Sequence, residues 1–566
     1  MSTGQSSTWL IPHGFVPGVQ EAREAARTFW RAEGVYSELT VFEEIEAAVE
    51  KRPDCVITYI SREPRPGSAA EMNVTLAMLR QRSIAFAAGL AELNLQPGDV
   101  LAVQLPNWPE AMIAYYAASS LGLVLLTIVD IYAASELDFI LNESRARALI
   151  VPASWRHLDF RQRLGQLESP SLQHLIVVGA EEAPDIVTWN ALEGSGGDQH
   201  FHPLRQHPAD PFLVLYTSGS TSHPKGVVHS HESLLAEVRL SPLSPTGGGR
   251  TVKSLLVSPP GHISGLLGLL RAILFLSDAV VLDAWDPMLA KQAVEVNRLN
   301  TSSGTFFMQS LLEEFQKGQN SIPPMEWAVG GNAVPPSVVE EADRIGWQAF
   351  RSYGSSEHPT VTGSTHSASL EARSQTDGSP CRESDVRILE SNGFEAALGM
   401  EGEIVCRGPE QFLGYVDSAL NADAFTSEGW LRTGDLGRID VAGNLVVTGR
   451  TKDIIIRGGE NISASEVENL LRRHPQITDA AVVPYPDQRY GERVAAFIVV
   501  QENSSVDIQS VAQFFAQIGV AKQKTPEQLN LLRELPRTVA GKVDKRQLRR
   551  TAAQGVAPAT NVGEGT

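Results

Sequence analysis

From about Asn73 onward the chain alternates two kinds of apolar pattern. Thr75–Leu93 spaces its apolar residues three and four apart, as one face of a helix requires. Pro97-Gly98-Asp99 then turns the chain into Val100–Leu105, a short apolar run that predicts a strand. Ser135–Glu143 predicts another helix, and Ala148–Val151 and Leu175–Val178 predict strands. Phe212–Tyr216 (FLVLY) predicts a strand that runs straight into a Gly/Ser/Thr loop. Helices alternating with short apolar strands point to βαβ units and largely parallel sheets. Ala111–Val129 carries no charge and approaches the length of a bilayer span. It contains Tyr115, Tyr116, Ser119, Ser120, Gly122 and Thr127, however, and changes character near Leu121. That predicts a buried helix followed by a buried strand, and no integral membrane segment.

After about residue 400 the strands shorten and hairpins appear. Ile439–Leu445 reads as a hairpin turn between strands at Gly437–Asp440 and Asn444–Thr448. Asp453–Ile456 predicts a strand. Ser463-Ala-Ser-Glu466 matches a capping box, followed by Val467, Leu470 and Leu471 on one helical face and a stop at His474-Pro475. Strands and a helix alternate to about Arg550, and a small, polar tail follows. The change of texture places a domain boundary near Gly449–Lys452, dividing the chain into 1–450, 451–552 and a disordered tail at 553–566.

Composition narrows the function. A chain of 566 residues exceeds what one core supports, so two or more domains are expected. With 42% hydrophobic and 20% charged residues it is an ordinary globular composition. Lys and Arg number 47 against 66 Asp and Glu, a net charge of −19 that argues against a nucleic-acid or anionic-membrane surface. Cations that meet an anionic substrate must therefore be gathered in one place. Cys55, Cys381 and Cys406 are too scattered for a disulfide framework or a metal cluster and read as core residues. The first residues lack a basic stretch leading into an apolar run, so the expected location is cytoplasmic.

Tyr216-Thr-Ser-Gly-Ser-Thr-Ser-His-Pro-Lys-Gly226 is the strongest chemical feature. Small residues let backbone N–H groups approach phosphate, hydroxyls add donors, and Lys225 supplies a point charge. A Ser/Gly-rich surface turn would look similar, and no Walker A motif occurs. Ser352-Tyr-Gly-Ser-Ser-Glu357 places a carboxylate after a Gly/Ser turn, suited to Mg²⁺ or to a helix start. Gly429-Trp-Leu-Arg-Thr-Gly-Asp435 ends in a carboxylate that could accept two ribose hydroxyls or close an Asx turn. Thr448–Ile462 combines three cations with a Gly-Gly turn, and Leu535–Lys545 offers Lys542 on a Gly-led loop.

These five segments, in this order, resemble the adenylate-forming superfamily: acyl- and aryl-CoA synthetases, aryl-acid adenylating enzymes, peptide-synthetase adenylation domains and firefly luciferase. The resemblance covers roughly residues 40–550. It implies an α/β fold, with a large N-terminal domain of stacked, mostly parallel sheets and helices, and a small mobile C-terminal α+β domain. Thr217, Ser218, Gly219, Ser220 and Thr221, with Lys225, match the loop that gathers the β- and γ-phosphates. Gly330 and Gly331 match the adenine-side turn. Arg351 and Ser352 fall where members flank the adenine, with Tyr353 stacked on it and Gly354 following. Ser356 and Glu357 take the Thr-Glu position, so Glu357, with Thr217, is the implied Mg²⁺ ligand. Asp435 and Arg450 match the ribose-binding pair, and Lys452 the hinge. Lys542 matches the lysine that touches the carboxylate and the α-phosphate. Gly458 and Gly459 match the turn lining the pantetheine tunnel. Two departures stand out: Ser222 replaces a common glycine, and Ser356 a common threonine.

The implied reaction joins a small-molecule carboxylic acid to ATP, then to coenzyme A. Ser258-Pro-Pro-Gly-His-Ile-Ser-Gly265 resembles the segment of CoA ligases that sets a histidine, here His262, beside the acyl pocket. The run RTKDIIIRGGENISASEVENLLRRHP looks closest to cyclohexanecarboxylate and medium-chain acyl-CoA ligases. An acid–AMP ligase that loads a carrier-protein phosphopantetheine is the same-class alternative. A luciferase-like oxygenase and a nonenzymatic ATP-binding protein are others. His229 and His231 near the Ser-rich loop raise a Ser/His hydrolase, but no nucleophile elbow precedes a helix there. The chain is expected to work as a monomer or homodimer.

Overall fold

The computed structural model describes residues 10 and 12–554, apart from 66–67, 131, 133, 157, 161–166, 182, 184–185, 196–201, 218–223, 242–252, 319–321, 458–459, 488–489, 502–503, 519, 521 and 539–541. It divides into two compact units. One comprises 1–386 and 406–432, the other 387–405 and 433–566.

The first unit is built on two large sheets. One runs in the order Ser379–Pro380, Thr362–Gly363, Gln348–Tyr353, Glu326–Val329, Leu299–Ser303, Lys253–Leu256, Ala279–Leu282, Val56–Ile60, Glu71–Thr75. Its central strands are parallel and its edges antiparallel. The other runs Gly414–Tyr415, Lys225–Ser230, Pro211–Thr217, Val124–Thr127, Val100–Val103, Ala148–Pro152, His174–Val178, Val187–Thr188. It is parallel from Pro211–Thr217 onward. The expected α/β class with stacked, mostly parallel sheets holds. In parallel sheets ligands meet the carboxyl ends of the strands. Thr217, Ser258, Gly330 and Ser352–Tyr353 all lie at such ends.

Local sequence explains the elements. Thr75 caps the helix Leu76–Glu92, its Oγ1 accepting from the Met78 N–H. The uncharged run resolves as expected into the helix Pro109–Leu121, buried all round, and the buried strand Val124–Thr127. Pro109 starts that helix and Gly122 ends it at φ 69°. The two sheets are tied by side chains that sequence periodicity does not reveal. Asn107 Nδ2 donates to Ser258 O and to Leu282 O, both at 3.0 Å. Tyr115 donates to Pro260 O at 2.9 Å. Near the N-terminus, the helix Val19–Ala32 lays Arg23, Arg27 and Arg31 along one face. Arg23 donates to Leu413 O at 2.8 Å and Phe412 O at 2.5 Å. Arg27 and Arg31 both reach the buried Glu232 carboxylate. Cys55, Cys381 and Cys406 are buried free thiols.

In the second unit, Ile477–Asp487 and Gly491–Val500 form a long antiparallel pair. Successive residues face opposite sides: Ala480 and Val482 pack in one core, Ala481 and Val483 in another. Helices Ala464–Arg472 and Ile508–Gln517 contribute to the first core and Lys545–Ala553 to the second. The Asp440–Asn444 turn closes as expected, Asp440 Oδ1 accepting from the Ala442 and Asn444 N–H groups. The capping box forms only by half. Ser463 accepts from the Glu466 N–H at 3.3 Å, while the Glu466 carboxylate pairs with Lys524. The last helix runs through Ala553, past the expected start of the tail, and 555–566 lie outside the described residues.

Candidate active site

Pro211–Thr217 and Lys225–Ser230 form an antiparallel hairpin whose last pair sets Thr217 opposite Lys225. Residues 218–224 connect them; of these Ser218, Gly219, Ser220 and Thr221, like Ser222, lie outside the described residues. Next to Lys225–Ser230 runs Gly414–Tyr415, with Tyr415 opposite Val227. The Tyr415 ring lies under Lys225, whose Nζ is 5.1 Å from its centroid. The Tyr415 hydroxyl donates to Glu357 Oε1 at 2.7 Å. One aromatic side chain therefore touches both the lysine expected on the phosphates and the carboxylate expected on the cation. Burial, with Glu357 beside it, pushes the Tyr415 phenol well above its usual range, so it remains a donor.

The segment Arg351–Glu357 is held at several points. His229 Nε2 donates to Ser356 O at 2.7 Å, and the Phe412 N–H donates to Glu357 O at 2.8 Å. Burial lowers His229 to about 4, which keeps its ring neutral. Gly354 has no space for a side chain: an added Cβ would stand 1.9 Å from Pro359 O. Gly330 is equally confined against Ser352 O, at 2.6 Å. Gly331 takes φ 80°. Gly330 lets its turn approach the Ser352–Tyr353 strand end, and Gly354 lets the chain close on Pro359. Ser352 through Glu357 are half-buried.

Arg351, expected beside an adenine, has interior partners for its guanidinium. Its guanidinium forks onto Asp377 at 2.7 and 2.8 Å and donates to Ser374 O at 3.0 Å, with the residue only 8% exposed. The side chain is committed to the interior because a buried guanidinium needs a carboxylate partner. These bonds hold the strand that carries Ser352 and Tyr353.

His262 precedes the helix Ile263–Leu274, half-buried, and its backbone N–H bonds Pro259 O at 3.0 Å. The neighbouring Gly261 O accepts from Thr127 Oγ1 at 3.3 Å, and Thr127 pairs with Leu215. This fixes the His262 segment near the strand that leads to Thr217. His229 and His231 are interior residues. His231 stacks on Phe212 at 4.4 Å, accepts from the Val41 N–H at 3.2 Å and contacts Gln206.

Within the second unit, Asp435 and Arg450 are cross-strand partners, joined at 2.9 Å. Asp435 is buried, and the Arg450 side chain is largely exposed. Lys452 lies in the one-turn helix Thr451–Asp453. Gly458 and Gly459 lie outside the described residues, between Arg457 and Glu460, the last pair of a hairpin. Lys542 is exposed at the end of a small loop, its carbonyl accepting from the Thr538 N–H at 2.6 Å. The helix after it is anchored by Lys545 and Arg549 on Asp453.

Among the described residues no group of three or more His, Cys, Asp or Glu could cage a metal. Glu357 alone, half-buried and with Thr217 on the neighbouring hairpin, suits Mg²⁺ that arrives on a polyphosphate and keeps most of its ligands as water and phosphate. Among the described residues no helix is long and apolar enough to cross a membrane.

A large unit of mostly parallel sheets with a separate small unit of mostly antiparallel strands and helices is the architecture of the adenylate-forming, acid–thiol ligases. The chain belongs to the AMP-binding enzyme family, which matches residues 45–416, with the AMP-binding enzyme C-terminal domain matching 466–542. It is 30% identical to a medium-chain fatty-acid–CoA ligase of Escherichia coli (strain K12) over 537 residues, 93% of each chain. It is also 30% identical to a salicyl-AMP ligase / salicyl-S-ArCP synthetase of Mycobacterium tuberculosis, covering 97% of this chain and 96% of that one. Among solved structures, the o-succinylbenzoate coenzyme A synthetase of Bacillus subtilis in complex with ATP and magnesium ion matches with a TM-score of 0.76. It is 25% identical, over 90% of this chain and 100% of that one.

Proposed function

We propose that the protein is an ATP-dependent carboxylate–CoA ligase. A carboxylate oxygen of the acid attacks the α-phosphorus of ATP, the bond to the bridging oxygen breaks, and pyrophosphate leaves. The thiol sulfur of coenzyme A then attacks the acyl carbon, AMP leaves, and the thiol proton passes to solvent. The observation that carries this reading is the convergence of Lys225 and Glu357 on Tyr415 at the mouth of the Thr217–Lys225 hairpin.

The first step joins two anions, so charge neutralisation and positioning dominate its barrier. Thr217–Thr221 and Lys225 hold the outer phosphates. Glu357 and Thr217 hold Mg²⁺, which when bound neutralises charge on the polyphosphate. Gly330, Gly331, Ser352, Tyr353, Gly354 and Ser356 frame the adenine side, and Asp435 with Arg450 binds the ribose hydroxyls. His262 borders the acid. Lys542 binds the carboxylate and α-phosphate in the first step, and Gly458 and Gly459 line the thiol's path in the second. Those two roles call for two arrangements of the second unit, reached by turning about Lys452. ATP and coenzyme A are drawn from the cytoplasm.

The similarity to a salicyl-AMP ligase / salicyl-S-ArCP synthetase supports a second reading, transfer to a carrier-protein phosphopantetheine. A panel of aliphatic, alicyclic and aromatic acids, assayed by pyrophosphate release with and without coenzyme A, tests both. Turnover on free coenzyme A supports the first. Adenylate formation that free coenzyme A does not carry forward supports the second. No acid-dependent exchange between ATP and pyrophosphate would overturn both.

A further inference from the structure

Tyr415 is more constrained than a surface tyrosine of a short edge strand. Its residue is 7% exposed, its backbone N–H donates to Asn421 Oδ1 at 2.8 Å, and Phe412 packs edge-on against its ring at 5.0 Å. The Val227 register holds it against the strand that begins at Lys225. The ring cannot turn without leaving these partners, so the hydroxyl and the ring face point where the fold sets them. The hydroxyl donates to one oxygen of Glu357, and the ring face lies at Lys225 Nζ.

Resting on the ligase reading above, we infer that Tyr415 is a positioning residue with two separable duties. Its hydroxyl fixes the Glu357 carboxylate that would hold the divalent cation, and its ring steadies the Lys225 ammonium that would meet the outer phosphates. Neither duty brings Tyr415 to the reacting atoms. A charge-assisted hydrogen bond orients a carboxylate ligand more tightly than solvent does, and loss of such an outer partner weakens metal binding. A cation held over a ring keeps its charge undiminished while losing side-chain freedom.

Two substitutions separate the duties. Y415F keeps the ring and removes the hydroxyl; Y415L removes both. The full-length protein is titrated with Mn²⁺ in the presence of α,β-methylene-ATP, and free Mn²⁺ is read by electron paramagnetic resonance. Y415F is expected to weaken Mn²⁺ binding about 10-fold. Its ATP KM at saturating Mg²⁺ should stay within about twofold of the parent, because the ring contact persists. Y415L should weaken Mn²⁺ equally and also raise the ATP KM about fivefold or more. Equal Mn²⁺ binding by parent and Y415F would overturn the hydroxyl's duty. Matching ATP KM values for Y415F and Y415L would overturn the ring's. Should Y415L melt below the assay temperature, Y415M takes its place. A parent that neither binds Mn²⁺ with the analogue nor exchanges pyrophosphate into ATP defeats the ligase reading itself. A parent that does both beside an unaltered Y415F defeats only the inference about Tyr415.

Discussion

At the scale of single residues, the proposed site is held by side chains far from it in sequence. Lys225, Glu357, Asp435 and Lys542 announce themselves by lying in small-residue turns. Tyr415, His229 and Asp377 do not, because their partners lie 58, 127 and 26 positions away and leave no local pattern. Arg351 was visible in sequence but its commitment to Asp377 was not. His231 gives this scale its pH dependence. Burial lowers its imidazole to about 3, below the roughly 6.5 of an unfolded chain. Between those values the unfolded chain binds more protons, so stability rises with pH and is complete above about 6.5. It is lost as pH falls through that window. Buried His229, lowered to about 4, acts in the same sense. The parent protein should therefore lose on the order of 3 kcal/mol per such histidine between pH 6.5 and pH 4. His231→Gln should melt lower at neutral pH, having lost its hydrogen bonds, yet lose less on acidification. Thermal midpoints measured from pH 8 to pH 4 test the slope; parallel curves for the two proteins would refute it.

Elements were legible wherever burial was one-sided or complete. The Phe212–Tyr216 run, the helix-then-strand within Ala111–Val129 and the Asp440–Asn444 turn follow from periodicity and turn chemistry. The docking of the helix Val19–Ala32 did not, since its arginines bind carbonyls and a carboxylate some 200 to 390 positions away. Yet that helix bears on the site. Arg23 ties down the carbonyls of Phe412 and Leu413, while the Phe412 N–H bonds Glu357 O and the Leu413 N–H bonds Val228 O. Arg23→Ala should destabilise the protein by about 1–3 kcal/mol, the usual penalty for stranding buried acceptors. Because the segment it ties down carries Tyr415, the same variant should need more Mg²⁺ for half-maximal pyrophosphate release. Urea unfolding followed beside a Mg²⁺ titration reads both effects. Lost stability with an unmoved Mg²⁺ requirement would confine Arg23 to packing.

For the whole molecule, length and texture correctly implied more than one compact body. A boundary near 450 was read from strand length, whereas contacts group 387–405 and 433 onward with the C-terminal residues. Sequence order hides that grouping because the chain crosses between the units three times. The ligase reading assigns the two half-reactions to two arrangements of these units. Lys542→Ala should accordingly abolish acyl-adenylate formation while largely sparing thioester formation from supplied acyl-adenylate. Equal loss in both half-reactions, measured by pyrophosphate release and by thiol consumption, would defeat the alternation. One further consequence concerns the hairpin that ends in the Thr217–Lys225 pair. Its ladder sets the separation of its two end residues by direct pairing across the strands. Thr217 and Lys225 are therefore one mechanical unit: a substitution that breaks their pairing displaces both ends of the hairpin together.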